Sequence, residues 1–142
     1  MTRIAIVQLC STPDRAANHA QVVRYVRQAA EAGASLVALP ENWAYIGPED
    51  AKAGAAEAGD GPSLQLLSEL AAETGLWLVG GTILRRSEDP TDPRPTNHCT
   101  VWDAQGQCRA AYDKIHLFDA GIPGGAVFQE SERIRAGVQP VV

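Results

Sequence analysis

A chain of 142 residues with 45% hydrophobic and 20% charged side chains is about one domain long and can bury a core of its own. No apolar run approaches the roughly 18 residues that a membrane span needs, so no membrane partner is expected, and a net charge of −5 with scattered basic residues argues against a nucleic-acid partner. Three cysteines (Cys10, Cys99 and Cys108) and three dispersed histidines lack metal-ligand spacing, which predicts reduced thiols, a cytoplasmic setting and no zinc site.

Met1-Thr2-Arg3 leads straight into the apolar run Ile4 to Leu9, so no secretory leader is expected, and the run reads as a strand buried on both faces. Ser11-Thr12-Pro13-Asp14 supplies cap and helix-start residues. Ala16, Ala20, Val23, Val26 and Ala30 follow at helical spacing, predicting a helix over 14–32 that ends at Gly33 and turns Arg24, Arg27 and Gln28 to water. Ser35 to Leu39 is a second apolar run, so the first two strands form a right-handed βαβ unit with parallel strands. Residues 46–62 read as a loop with one short helix around Glu49 to Ala58. Ser63 to Thr74, closed by Gly75, is the next crossover helix, and Leu76 to Ile83 the third strand.

The proline-rich, charged run from Arg85 to Pro95 reads as a surface excursion tolerant of insertion. Asn97 to Trp102 and Gln107 to Tyr112 flank Asp103-Ala104-Gln105-Gly106 and predict an antiparallel hairpin. The fold class expected is α/β, a mixed sheet with the helices on one face, in one domain over residues 1–142. The other face is expected to be apolar and uncovered.

Two strand ends carry unusual side chains. Leu36-Val37-Ala38-Leu39-Pro40-Glu41 sets a carboxylate just beyond a carboxyl-terminal strand end, where ligands bind in open α/β sheets. Tyr112-Asp113-Lys114-Ile115-His116-Leu117-Phe118-Asp119 places an ammonium between a strand and the loop of Gly121, Pro123, Gly124 and Gly125. Alone, Lys114 reads as a solvated strand-end lysine and Glu130 as a solvated loop residue. Together, Pro-Glu after an early strand and Lys-x-His-Leu-Phe after a hairpin resemble the first two catalytic motifs of the nitrilase superfamily of carbon-nitrogen hydrolases. Flanks such as Ile4-Ala5-Ile6-Val7-Gln8 and Gly75-Leu76-Trp77-Leu78-Val79-Gly80-Gly81 extend the resemblance along the whole chain.

The resemblance implies the amino-terminal part of a four-layer αββα sandwich that self-associates through an apolar sheet or helix face. It also implies a small-molecule amide substrate and no cofactor. Its site residues fall on Glu41, Lys114 and, in Phe128-Gln129-Glu130-Ser131, Glu130. Amide cleavage through an acyl intermediate needs a base that takes and returns a proton, a donor for the tetrahedral oxyanion, and a nucleophile. Glu41 suits the first role, with Pro40, Trp43 and Tyr45 expected to lower the dielectric around it. Lys114 suits the second, worth about 3 to 4 kcal/mol of barrier, and Glu130 is expected to keep it charged and oriented. His116 is expected to brace the loop by hydrogen bonds rather than to do chemistry.

The superfamily's third motif, a cysteine in a Cys-x-Asp-like turn, lies beyond the motif region seen here. Cys10 is followed by no sharp turn onto a helix, and Cys99 and Cys108 lie inside predicted strands as small buried hydrophobes, so none is assigned as nucleophile. The expectation is an amino-terminal part that does not turn over alone. Within the superfamily, Gln8-Leu9-Cys10-Ser11-Thr12-Pro13-Asp14 and Leu39-Pro40-Glu41 resemble the Nit members that act on deaminated glutathione, with omega-amidases of α-keto dicarboxylic monoamides as the near alternative. A non-catalytic assembly module of the same fold is the rival reading. A nucleotide-binding α/β domain is weaker still, because Gly80-Gly81 and Gly124-Gly125 form no G-x-G-x-x-G turn.

Overall fold

The computed structural model of the chain describes residues 2–141. Its first half alternates short apolar strands with helices. β1 (Ile4–Ile6) is followed by α1 (Arg15–Glu31), β2 (Leu36–Ala38), a 3-10 turn at Glu49–Ala51, α2 (Lys52–Ala55), α3 (Pro62–Thr74) and β3 (Trp77–Arg85). Such alternation yields parallel strands, and Ile4 pairs with Leu36 and Leu36 with Trp77 in parallel register. Two antiparallel strands complete the sheet, β4 (Thr96–Trp102) and β5 (Cys108–Asp113), in the order β1-β2-β3-β4-β5. The sheet is therefore mixed. Among the described residues no helix is long and apolar enough to cross a membrane.

Local chemistry explains the ends. Asp14 caps α1 by accepting from Ala17 N–H at 3.0 Å. Pro62 opens α3, and Gly75 closes it at φ 67°, a left-handed conformation that costs glycine nothing. The hairpin turn between β4 and β5 is held by the Asp103 carboxylate, which accepts from the N–H groups of Gln105 and Gln107, each at 2.9 Å.

Both long helices cover one face of the sheet. Val22 and Val26 of α1, Leu67 and Leu70 of α3, and Val37 and Leu78 of the strands share one core with Trp43. Each fully buried aliphatic side chain there contributes about 1.5–3 kcal/mol. The buried stripe of α1 is Asn18, Val22, Val26 and Ala29, whereas Ala16 and Ala20 of the predicted stripe are exposed. Asn18 causes the offset: its side-chain amide donates to Thr12 O at 2.8 Å and Ala44 O at 3.0 Å, so a polar residue that periodicity counts as outward is inside and satisfied.

The first strand also departs from expectation. Ile4 is 60% and Ile6 84% exposed, because β1 is an edge strand and the helices cover only the face bearing Val7. Trp77, two strands across from Ile4, is exposed on the same open face. The stretch of Gly121, Pro123, Gly124 and Gly125, read from sequence as an irregular loop, is the turn region of a second small sheet: β6 (Asp119–Gly121) pairs antiparallel with β7 (Val127–Gln129). A 3-10 turn at Glu130–Glu132 follows. Ile134, 1% exposed, then buries itself against Ala56 and Leu84.

Candidate active site

Glu41 owes its place to a bulge. The β3–β4 register gains one residue between Val79 and Thr82, at Gly80-Gly81, where Gly81 has φ 54°. The end of β2 uses that gap: a Cβ on Gly81 would collide with the Pro40 carbonyl. Thr82 then stitches the following turn, donating its N–H to Pro40 O at 3.2 Å and accepting from Trp43 N–H at 3.2 Å on its carbonyl. Its hydroxyl accepts from Asn42 N–H at 2.8 Å. Asn42 itself sits at φ 53°. Glu41 thus leaves a turn tied at three points to the neighbouring strand.

Lys114 follows directly on β5. Its N–H donates to Asn97 O on β4 at 2.9 Å, and its carbonyl accepts from Gly137 N–H at 2.9 Å. The Lys114 ammonium donates to Glu41 Oε1 at 3.3 Å and to Glu130 Oε2 at 2.9 Å, so three residues spread over 90 positions meet at one cation. Partial burial alone would lower the Lys114 pKa. The hydrogen bond to Glu130 and the charges of both carboxylates outweigh it, and the pKa stands above the ordinary lysine value. An amine so held is a fixed positive charge, not a base.

Glu130 has a second task. The same Oε2 accepts Phe118 N–H at 2.6 Å, and Glu130 N–H returns a bond of 3.3 Å to Phe118 O. The loop after Lys114 is therefore braced by Glu130 and by the Tyr112 hydroxyl, which accepts Ile115 N–H at 3.1 Å. His116, expected to brace that loop, is exposed and has no hydrogen bond among the described residues.

The surroundings of Glu41 also differ from expectation. Its side chain is 54% exposed. Trp43 does not wall it, since that indole is buried in the core, donates to Gly80 O at 2.7 Å and lies 5.5 Å from the His19 ring. Tyr45 packs on the separate cluster around Ile134. Hydrogen bonds, not a dry pocket, define the position of Glu41 among the described residues.

Sequence reasoning missed the polar start of β4. Asn97 Nδ2 donates to Glu41 Oε1 at 2.6 Å. Beside it, the Asp113 carboxylate joins Thr96 at 2.7 Å, His98 Nδ1 at 2.8 Å and Arg85 at 3.1 Å. Burial would raise the Asp113 pKa, yet hydrogen bonds from His98 and Thr96 and the adjacent charges keep it below the ordinary carboxylate value. This cluster anchors the residue preceding Lys114. Thr96-Asn97-His98, three consecutive polar residues, open a strand that has neighbours on both sides, a pattern that hints at buried polar groups but names no partner for them.

The three site residues line a cavity of ≈ 630 Å3 whose other walls include Phe118, Phe128 and Arg133. None of the cysteines lines it. Cys10 is exposed beyond β1, Cys99 is half-buried in β4, and Cys108, expected to be buried, is exposed at the start of β5. Burial pushes the Cys99 thiol pKa up, the opposite of what an activated nucleophile needs. Among the described residues no group of three or more His, Cys, Asp or Glu could hold a metal ion.

The chain is similar to known proteins along nearly its whole length. The sequence pattern of the family described as Carbon-nitrogen hydrolase matches residues 3–142. The chain is 36% identical to the chloroplastic omega-amidase of Arabidopsis thaliana, over 98% of this chain and 38% of that protein. It is 38% identical to omega-amidase NIT2 of Homo sapiens, over 95% of this chain and 48% of that one. Among solved structures, Saccharomyces cerevisiae Nit3, a member of branch 10 of the nitrilase superfamily, superposes with a TM-score of 0.81 at 27% identity, covering 97% of this chain and 49% of that one. The chain thus spans half or less of the length of these relatives.

Proposed function

The chain belongs to the carbon-nitrogen hydrolase family, and from that premise we propose that it carries the base and oxyanion half of an amidase site, completed by a cysteine from sequence outside these 142 residues. The observation that supports this most is the ammonium of Lys114 held between Glu41 Oε1 and Glu130 Oε2. The cysteine thiol gives its proton to Glu41 as sulfur bonds to the amide carbon and the carbonyl electron pair moves to oxygen. Lys114 stabilises that oxyanion. When the oxyanion collapses, the C–N bond breaks and Glu41 returns the proton to the departing nitrogen, releasing ammonia and leaving a thioester. Water, deprotonated by Glu41, adds to the thioester carbon, and as the C–S bond breaks Glu41 passes that proton to the departing sulfur, releasing the carboxylate product and restoring the thiol.

The substrate class is a small carboxylate bearing a terminal amide. The omega-amidase names of the relatives favour the monoamide of an α-keto dicarboxylate as the first to test, with deaminated glutathione second. No cofactor is required. The free thiols suit a reducing compartment such as the cytoplasm, and the open face bearing Ile4, Ile6 and Trp77 suits association with further chain or a second copy.

The test is ammonia release by the 142-residue chain and by the protein extended through its downstream cysteine. Turnover by the extended protein alone, lost on Lys114→Ala, is expected. Comparable turnover by the short chain, abolished by Cys10→Ala, overturns the assignment of the nucleophile. Folded extended protein inactive on every carboxylate amide tried favours a non-catalytic assembly module.

A further inference from the structure

Asn97 is 1% exposed in β4 and touches both halves of the site. Its carbonyl accepts Lys114 N–H at 2.9 Å, and its side-chain Nδ2 donates to Glu41 Oε1 at 2.6 Å. Its own Oδ1 has no hydrogen-bond partner among the described residues. An unpaired buried acceptor is costly, a cost tolerated where the other end of the group does something needed. Rotating the amide would set its oxygen against the Glu41 carboxylate, so Glu41 itself selects the orientation with Nδ2 inward.

The consequence falls on the two oxygens of Glu41. Oε1 receives Asn97 Nδ2 and the Lys114 ammonium together. Oε2 receives no hydrogen bond among the described residues, and the side chain opens to the cavity. A carboxyl oxygen facing two donors is an acceptor only, because a proton placed there would point at another hydrogen.

We propose that Asn97 is a positioning residue that, with Lys114, occupies Oε1 of Glu41 and so reserves Oε2 as the atom that takes and returns the proton. The proposal rests on the amidase reading above and adds to it which oxygen works and what holds the carboxylate. Asn97 does not line the cavity. It acts through Glu41, whose direction within the cavity it sets from a strand anchored on both sides.

The experiment uses the full-length protein and the α-keto dicarboxylic monoamide. Asn97→Leu keeps the volume and the backbone carbonyl but removes the donor. A carboxylate freed to turn is expected to lower kcat about 10- to 100-fold, the scale of a 1 Å misplacement, with KM within twofold of wild type. Asn97→Asp keeps the shape and sets a carboxyl where the amide donated, so the introduced group repels Glu41 when ionised and donates to it when protonated. The ratio of its kcat to that of wild type should rise as pH falls, while the ratio for Asn97→Leu stays flat. A merely structural asparagine would not produce that contrast. If Asn97→Leu fails to fold, the pH dependence of Asn97→Asp decides alone. Wild-type turnover undiminished by Asn97→Leu, or an Asn97→Asp ratio flat with pH, overturns the assignment. A wild-type protein inactive on carboxylate amides overturns the amidase reading and this assignment with it.

Discussion

The Pro40 carbonyl lies so close to Gly81 that no other side chain fits there. β2 ends against β3 at the one place where β3 has neither a Cβ nor a negative φ. Gly81→Ala is expected to strain the backbone by about 1–3 kcal/mol and to push Pro40, and with it Glu41, off Thr82. Denaturant unfolding of the 142-residue chain should show a lowered midpoint at unchanged slope. An unchanged midpoint would mean the bulge does not set the turn.

Lys114 should stay cationic beyond the ordinary lysine range. Glu130 and Glu41 raise its pKa, so the stabilisation from these contacts is fully present below the unfolded lysine value and is lost only as pH rises through the higher folded value. The chain has two lysines, and 13C-methylated lysine can be followed by NMR without crowding. The Lys114 resonance should titrate above the ordinary value, and Glu130→Gln should move its midpoint down. A midpoint indifferent to Glu130→Gln would contradict the ion pair.

His19 links stability to mild acid. Its Nε2 lies 2.8 Å from Ser63 Oγ, and Ser63 also meets the buried carboxylate of Glu57, which pairs with Arg15 at 3.0 Å. Burial lowers the His19 pKa, opposed by the charge of Glu57 and aided by that of Arg15. The unfolded chain therefore binds the proton first. Stability is full above the ordinary histidine value of 6.5 and falls as pH drops from there toward the folded value. Unfolding midpoints at pH 7.5 and about 5.5 should differ for wild type, and less for His19→Gln, which keeps a donor for Ser63. An equal difference in both proteins would remove His19 as the cause.

The open face of the sheet should drive self-association of the 142-residue chain. Ile6, 84% exposed on an edge strand, is the most accessible of its apolar residues and the cheapest to change. Ile6→Lys is expected to reduce concentration-dependent association in sedimentation velocity, with stability altered by about 0.5 kcal/mol or less, as for other surface changes. Association unaffected by Ile6→Lys would place the contact elsewhere, with the exposed Phe118 and Phe128 pair the next surface to alter.

The order of strands and long helices as far as β5, the parallel first half and the β4–β5 hairpin were legible in the sequence, because they depend on near neighbours: apolar runs, Asp14, Gly75 and the turn before Gln107. Glu41 and Lys114 stood out there too, as charges just past strand ends, whereas Glu130 was reached only through the family resemblance. What only the tertiary structure decided concerns residues far apart in the chain. Periodicity cannot tell that Asn18 is inside, since its partners Thr12 and Ala44 come from the loops flanking α1 and following β2. Nor can it tell that Ile4 and Ile6 are outside, since exposure depends on which face the helices cover. Asn97 is the clearest case: its partner Glu41 is 56 positions earlier, and nothing local to β4 distinguishes a polar side chain pointing at water from one aimed at a carboxylate delivered by another strand.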